Sequence, residues 1–231
     1  MEVSDGVLPG MLYEPQDAPS GGPVVLITDI YGMVPFYHEV SGRLAAAGHP
    51  ALLIDVFWRE GELTENTREA AFERRSKMDE PRGIADTSAA LDFVKERFGA
   101  NRAGVLGFCL GGLFAFVLTA QRDDLVTVSY YGFPEGISAP VRVPSPRPID
   151  LVADMTGPIL SFWGEEDYIG VEVMNRFGDA VTAQGVDYEA HIYPDAGHAF
   201  LQGIVEDRVD SAAAVDSWKR TLAYLNQRLP A

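Results

Sequence analysis

The 231-residue chain is short of cysteine, of basic charge and of long apolar runs. A single cysteine, Cys109, rules out an internal disulfide and agrees with a reducing compartment. No apolar run approaches the roughly 20 residues of a membrane-spanning helix. The opening Met1-Glu2-Val3-Ser4-Asp5 is acidic and lacks the basic-then-apolar layout of a signal peptide. The expectation is a soluble, cytoplasmic protein. With 18 Lys+Arg against 34 Asp+Glu, the net charge of −16 repels nucleic-acid phosphates and anionic membrane surfaces, which leaves a small molecule as the expected partner. Only four histidines are available as general bases.

What the chain does have is a regular alternation. Short β-rich runs are followed by longer helical periods, the pattern of a mostly parallel sheet covered by helices on both faces. No internal repeat or linker divides it, so residues 1–231 are read as a single α/β domain. Strands are predicted at 24–27, 51–56, 104–107, 126–131, 159–163 and 188–193. Phe36, Val40, Leu44 and Ala47 recur at helical spacing, with Gly48 as the stop. A charge-rich helical stretch carries Arg68, Phe72, Arg74, Arg75 and Lys77, and Pro81 and Gly83 interrupt it before a second helix that ends at Gly99. Residues 110–120 are apolar nearly all round, the mark of a buried helix. Residues 133–158 hold six prolines and read as an irregular segment, either a lid or binding loop or a surface excursion. Val205, Val209, Ala212, Trp218, Leu222 and Leu225 mark the last helix. Tyr31, Phe36, Trp58, Phe133 and Trp163 are candidate walls of an apolar pocket.

Cys109 sits in Gly107-Phe108-Cys109-Leu110-Gly111-Gly112, between a predicted strand and the buried helix. That is the layout of a nucleophile elbow, whose glycines clear space around a nucleophile on a sharp turn, although serine is usual there. A small buried cysteine is the alternative. A free thiol, with a pKa near ~8.5, needs a base or a positive field to act at neutral pH. His198 is the best placed base, in a small-residue loop after the last strand; His38, His49 and His191 read as structural. Asp167, just after the preceding strand, is the candidate carboxylate to orient it, with Glu165, Glu166, Asp154 and Asp195 as competitors. The order nucleophile, acid, histidine is that of α/β-hydrolases, in which an oxyanion is held by backbone amides, here those of Leu110 and Ile30.

GFCLGG around Cys109, GEED with Asp167 and AGHAF with His198 together resemble the dienelactone hydrolase family, over nearly the whole chain from about residue 26 to 225. The resemblance implies an α/β-hydrolase fold and a Cys/His/Asp triad that opens small lactones or esters through an acyl-enzyme, with no cofactor and no metal. In the family a glutamate after an early strand holds the resting thiol and moves aside when substrate binds; the matching residue is Asp29, one methylene shorter. The family holds a substrate carboxylate with two arginines. Arg68 matches the first, Gln202 stands where the second would lie, and Phe72 matches a nearby tyrosine. A second function class fits the altered positions: a ligand-binding or redox-sensing protein on the hydrolase scaffold.

Overall fold

The computed structural model describes residues 1–206 and 211–231. A hairpin of β1 (Glu2–Val3) and β2 (Gly6–Val7) precedes β3 (Gly10–Tyr13), β4 (Val24–Ile27), helix α1 (Pro35–Ala46) and β5 (Ala51–Ile54). Helices α2 (Arg68–Ser76) and α3 (Glu80–Phe98) lead to β6 (Ala103–Phe108), α4 (Leu110–Gln121) and β7 (Leu125–Tyr130). The chain closes with β8 (Ile159–Gly164), α5 (Val171–Ala183), β9 (Tyr188–Tyr193) and α6 (Ser211–Arg228). Seven strands form one sheet in the order β3-β5-β4-β6-β7-β8-β9, parallel except for β3, which runs antiparallel to β5 at the edge. The strands before β4 escape sequence reading because they are two to four residues long and broken by glycine and proline.

The two faces of the sheet follow from strand alternation. Phe108, Tyr130 and Phe162 are register partners and stack at 5.2 and 4.7 Å. Tyr37 of α1 packs on Phe108, and Thr221 of α6 hydrogen-bonds the Tyr130 hydroxyl, so α1 and α6 cover this face. The other face carries Gly107, Ser129 and Ser161, small enough for α4 to lie close. Phe116 of α4 packs against Trp163 and against Phe177 of α5 there.

Several boundaries differ from expectation for local reasons. β5 stops at Ile54 because the Asp55 carboxylate turns back to accept from the Phe57 amide at 3.0 Å. β7 stops at Tyr130 because Tyr131 has a φ of 41°. Pro81 and Gly83 lie inside the first turns of α3, where the Asp79 side chain caps the helix and proline lacks only an N–H that would have no helical acceptor. The first break in helical structure falls at residues 77–79 instead. In the proline-rich segment, Pro148–Asp154 forms a 3₁₀ helix. Val205 precedes the last helix rather than belonging to it, after a 3₁₀ turn at Phe200–Ile204, and Val209 lies outside the described residues. Arg74 and Arg75, read as part of a charge-rich helix, are both buried.

Candidate active site

The strand order reverses beside β4: the chain passes from β4 to β5 on one side and to β6 on the other. In open α/β sheets the crevice at the carboxyl ends of strands at such a reversal is the common ligand site. Ile27 is the register partner of Gly107, so the residues two further on, Asp29 and Cys109, leave the sheet side by side.

Cys109 joins β6 to α4 with φ 56° and ψ −111°, a left-handed turn that is costly for a residue bearing a Cβ. Its amide donates to Tyr130 O at 3.0 Å and its carbonyl accepts from Leu113 at 3.1 Å. The flanking glycines permit the turn: a Cβ on Gly107 would lie 2.0 Å from Gly111 O, and one on Gly111 would lie 2.3 Å from Ile27 O. Cys109 is 8% exposed. Burial pushes its thiol well above the ordinary range, and the neighbouring Asp29 carboxylate adds to that. The Leu110 amide, through a hydrogen bond, and the Arg75 cation act in the opposite direction without cancelling the rise. The resting group is therefore a thiol.

His198 follows β9 in a loop that also has positive φ at Asp195 and Ala199. Its Nδ1 lies 2.8 Å from Oδ2 of Asp167, which follows β8; the other oxygen of Asp167 accepts from the Ile169 amide at 3.0 Å. Nε2 of His198 is buried and has no hydrogen-bond partner among the described residues. The imidazole lies against the rings of Tyr168, Tyr131 and Phe133 at 4.5, 4.9 and 5.6 Å. Of the competing carboxylates, Glu165, Glu166, Asp154 and Asp195 are all exposed. His49 is buried between Gly22 O and Asn226, His38 faces the Tyr13 hydroxyl, and His191 pairs with Glu189 on β9.

Asp29, Ile30, Cys109 and His198 open into one cleft of about 1310 Å³, which Arg68, Phe72 and Gln202 also line. Asp29 is buried, and that burial raises its carboxyl pKa, opposed first by the hydrogen bond from the Tyr31 amide at 2.8 Å. Arg68 is exposed at the rim, its guanidinium 5.4 Å from the Phe72 ring centre. Of the expected aromatic walls, Tyr31, Phe36 and Phe133 line the cleft. Trp163 is buried with its indole donating to Gly132 O, and Trp58 donates to Asp86, so neither is a wall. Residues 133–139 of the proline-rich segment, with Pro144, Ser145 and Arg147, form one side of the cleft. The buried Arg75–Glu80 pair holds that side: Arg75 donates to Ala139 O and Pro140 O, and Glu80 accepts from the amide and hydroxyl of Ser145. Tyr168, next to Asp167 in the chain, carries no signal in the sequence, because nothing local shows a ring folding over a histidine 30 residues on. Among the described residues no group of three or more His, Cys, Asp or Glu side chains could hold a metal ion.

Residues 8–229 match the model of the dienelactone hydrolase family. The chain belongs to the dienelactone hydrolase family. This family member is 36% identical over 219 residues to the carboxymethylenebutenolidase of Rhodococcus opacus, covering 94% of this chain and 86% of the relative. It is 34% identical over 199 residues to carboxymethylenebutenolidase 2 of Cupriavidus pinatubonensis, covering 85% and 80%. A crystal structure of a Klebsiella pneumoniae protein assigned to the dienelactone hydrolases superposes with a TM-score of 0.83 at 25% identity, covering 97% of this chain and 95% of that one. This dienelactone hydrolase homologue accordingly has the α/β-hydrolase fold, and its family is one of hydrolases. Among its described residues no helix is long and apolar enough to cross a membrane.

Proposed function

We propose that this chain, as one cytoplasmic hydrolase domain, cleaves small esters or lactones with Cys109 as nucleophile, His198 as general base and acid, and Asp167 as the orienting carboxylate. The observation that carries the reading is that His198, hydrogen-bonded to Asp167 at 2.8 Å, lines the same cleft as a cysteine on a strained elbow.

In this mechanism the Cys109 thiol gives its proton to His198 Nε2 as sulfur attacks the acyl carbon. The carbonyl oxygen takes up negative charge between the amides of Leu110 and Ile30. Collapse breaks the C–O bond, His198 returns the proton to the leaving oxygen, and a thioester remains on Cys109. Water, deprotonated by His198, then attacks the thioester and releases the acid and the thiol. In a lactone the leaving oxygen stays tethered to the acyl group, so the product is one hydroxy acid or its keto tautomer. Nδ1–H donating to the buried Asp167 carboxylate leaves Nε2 as the acceptor, the tautomer the first step needs. Burial, with the Asp29 carboxylate adding to it, holds the resting sulfur protonated, and substrate binding has to relieve that hold. Arg68, beside Phe72, is the candidate contact for a substrate carboxylate, with Gln202 offering a neutral hydrogen bond.

A second reading, a ligand-binding or redox-sensing protein, draws on the unpartnered Nε2 and the raised thiol. One experiment separates the two. Wild type and Cys109→Ala are assayed side by side on aryl esters, simple lactones and dienelactone, with acid quenching to trap the acyl group. Hydrolysis is expected to vanish in Cys109→Ala, and a stoichiometric acyl group is expected on the Cys109 peptide of wild type. Saturable binding with neither turnover nor adduct would favour the second reading instead.

A further inference from the structure

The segment after β4 that offers the Ile30 amide is held by contacts inside itself and by side chains of α1 and α2. The Asp29 carbonyl, in the peptide unit that carries the Ile30 N–H, accepts from the Gly32 amide and from the Thr28 hydroxyl, each at 3.2 Å. The next peptide unit has its Tyr31 amide on the Asp29 carboxylate at 2.8 Å. From α1, the Tyr37 hydroxyl accepts from the Asp29 amide at 3.2 Å. From α2, Arg74 donates Nη2 to Ile30 O at 2.9 Å and Nη1 to Gly61 O at 3.3 Å.

Arg74 is 8% exposed, and its guanidinium lies 4.2 Å from the Phe57 ring centre. Its two hydrogen bonds go to main-chain carbonyls, one in this segment and one in the loop after β5, while its buried Nε has no partner among the described residues. A Cβ at Gly32 would come within 3.1 Å of Nη2, and the φ of 77° at Gly32 is one that glycine adopts freely. A buried cation this near to backbone is costly to desolvate unless its donors are used. The fork of a guanidinium can hold two carbonyls at fixed separation, which an ammonium on a flexible stem cannot do.

The geometry points to Arg74 as a positioning residue of the oxyanion site: by pinning the Ile30 carbonyl, one peptide unit on from the Ile30 amide, it limits the rotation at Ile30 that would swing that amide away from the acyl oxygen. This rests on the hydrolase reading above and adds to it a residue that never touches substrate. Placement matters because a donor displaced by about 1 Å can lose about a hundredfold in rate.

The test compares two reactions at the same sulfur in wild type, Arg74→Met and Arg74→Gln, with folding checked by thermal melts. Acylation by p-nitrophenyl acetate develops an oxyanion; alkylation by iodoacetamide does not. Arg75 acts directly on the thiol and Arg74 acts on the Asp29 carboxylate beside it, so removing Arg74 should leave alkylation within about threefold, and any change in thiol ionisation enters both reactions and cancels in their ratio. Acylation is expected to fall about tenfold to a hundredfold, with kcat for esters falling likewise and KM nearly unchanged. Arg74→Gln keeps polarity at the site but is too short to hold both carbonyls, and it carries the test if the methionine variant does not fold. Equal falls in acylation and alkylation, or no change in their ratio in a folded variant, would overturn the inference. Wild type that alkylates at Cys109 but never acylates there would instead remove the hydrolase reading, and the inference with it.

Discussion

Nδ1 of His198 lies 2.8 Å from Oδ2 of Asp167, and the Asp167 side chain is wholly buried while its other oxygen accepts a main-chain amide. The imidazole is thereby fixed in direction as well as in tautomer. Asp167→Asn keeps the volume but offers an amide that can force the wrong tautomer. It should lower kcat by about 10³–10⁴-fold with a melting temperature close to wild type. Ester turnover and thermal melts measure both, and a loss below tenfold would assign the orienting role to another group.

Burial first, and Asp29 second, hold the Cys109 thiol above its ordinary range. Wild-type alkylation by iodoacetamide should therefore be slow at neutral pH and keep rising beyond about pH 10, where an ordinary thiol has levelled off. Asp29→Asn removes a negative charge, favours the thiolate and should move the rate–pH profile toward lower pH. The same shift has a stability consequence. The thiol of the unfolded chain ionises near its ordinary pKa of about 8.5 while the folded one stays protonated, so stability falls as pH rises above that value. The cost is about 1.4 kcal/mol by pH 9.5, and urea unfolding of Cys109→Ala should lack it. An unchanged profile in Asp29→Asn would remove Asp29 from the control of the thiol.

Arg75 and Glu80 are 1% and 3% exposed at their side chains and tie α2 and α3 to the proline-rich wall of the cleft. Glu80→Ala leaves a buried guanidinium without its carboxylate and frees Ser145. It should cost about 3–5 kcal/mol in urea unfolding, and limited proteolysis should cut first within residues 139–147. A loss under about 1 kcal/mol would mean that water replaces the carboxylate.

Arg68 stands exposed at the rim of the cleft. If it holds a substrate carboxylate, Arg68→Gln should raise KM for carboxylate-bearing lactones by about tenfold and leave neutral aryl esters unaffected, since a hydrogen bond to a charged group is worth about 1.5–3 kcal/mol before solvent screening. Equal changes for both substrate types would exclude that contact.

What the sequence alone determined is local. The alternation of apolar runs and helical periods gave six strand positions, and the glycines around Cys109 marked the turn between β6 and α4, because periodicity and backbone freedom are properties of neighbouring residues. Only the tertiary structure decided which strand ends meet. Parallel pairing is non-local, and the order β5-β4-β6 is what sets Asp29 beside Cys109. Likewise, one buried carboxylate among five strand-end or loop candidates faces His198 because β8 and β9 are neighbours. The widest gap is α2. Its charges read only as a charge-rich helical stretch, whereas Arg74 and Arg75 point inward to backbone carbonyls contributed by segments far away in the chain, and periodicity carries no record of acceptors that distant.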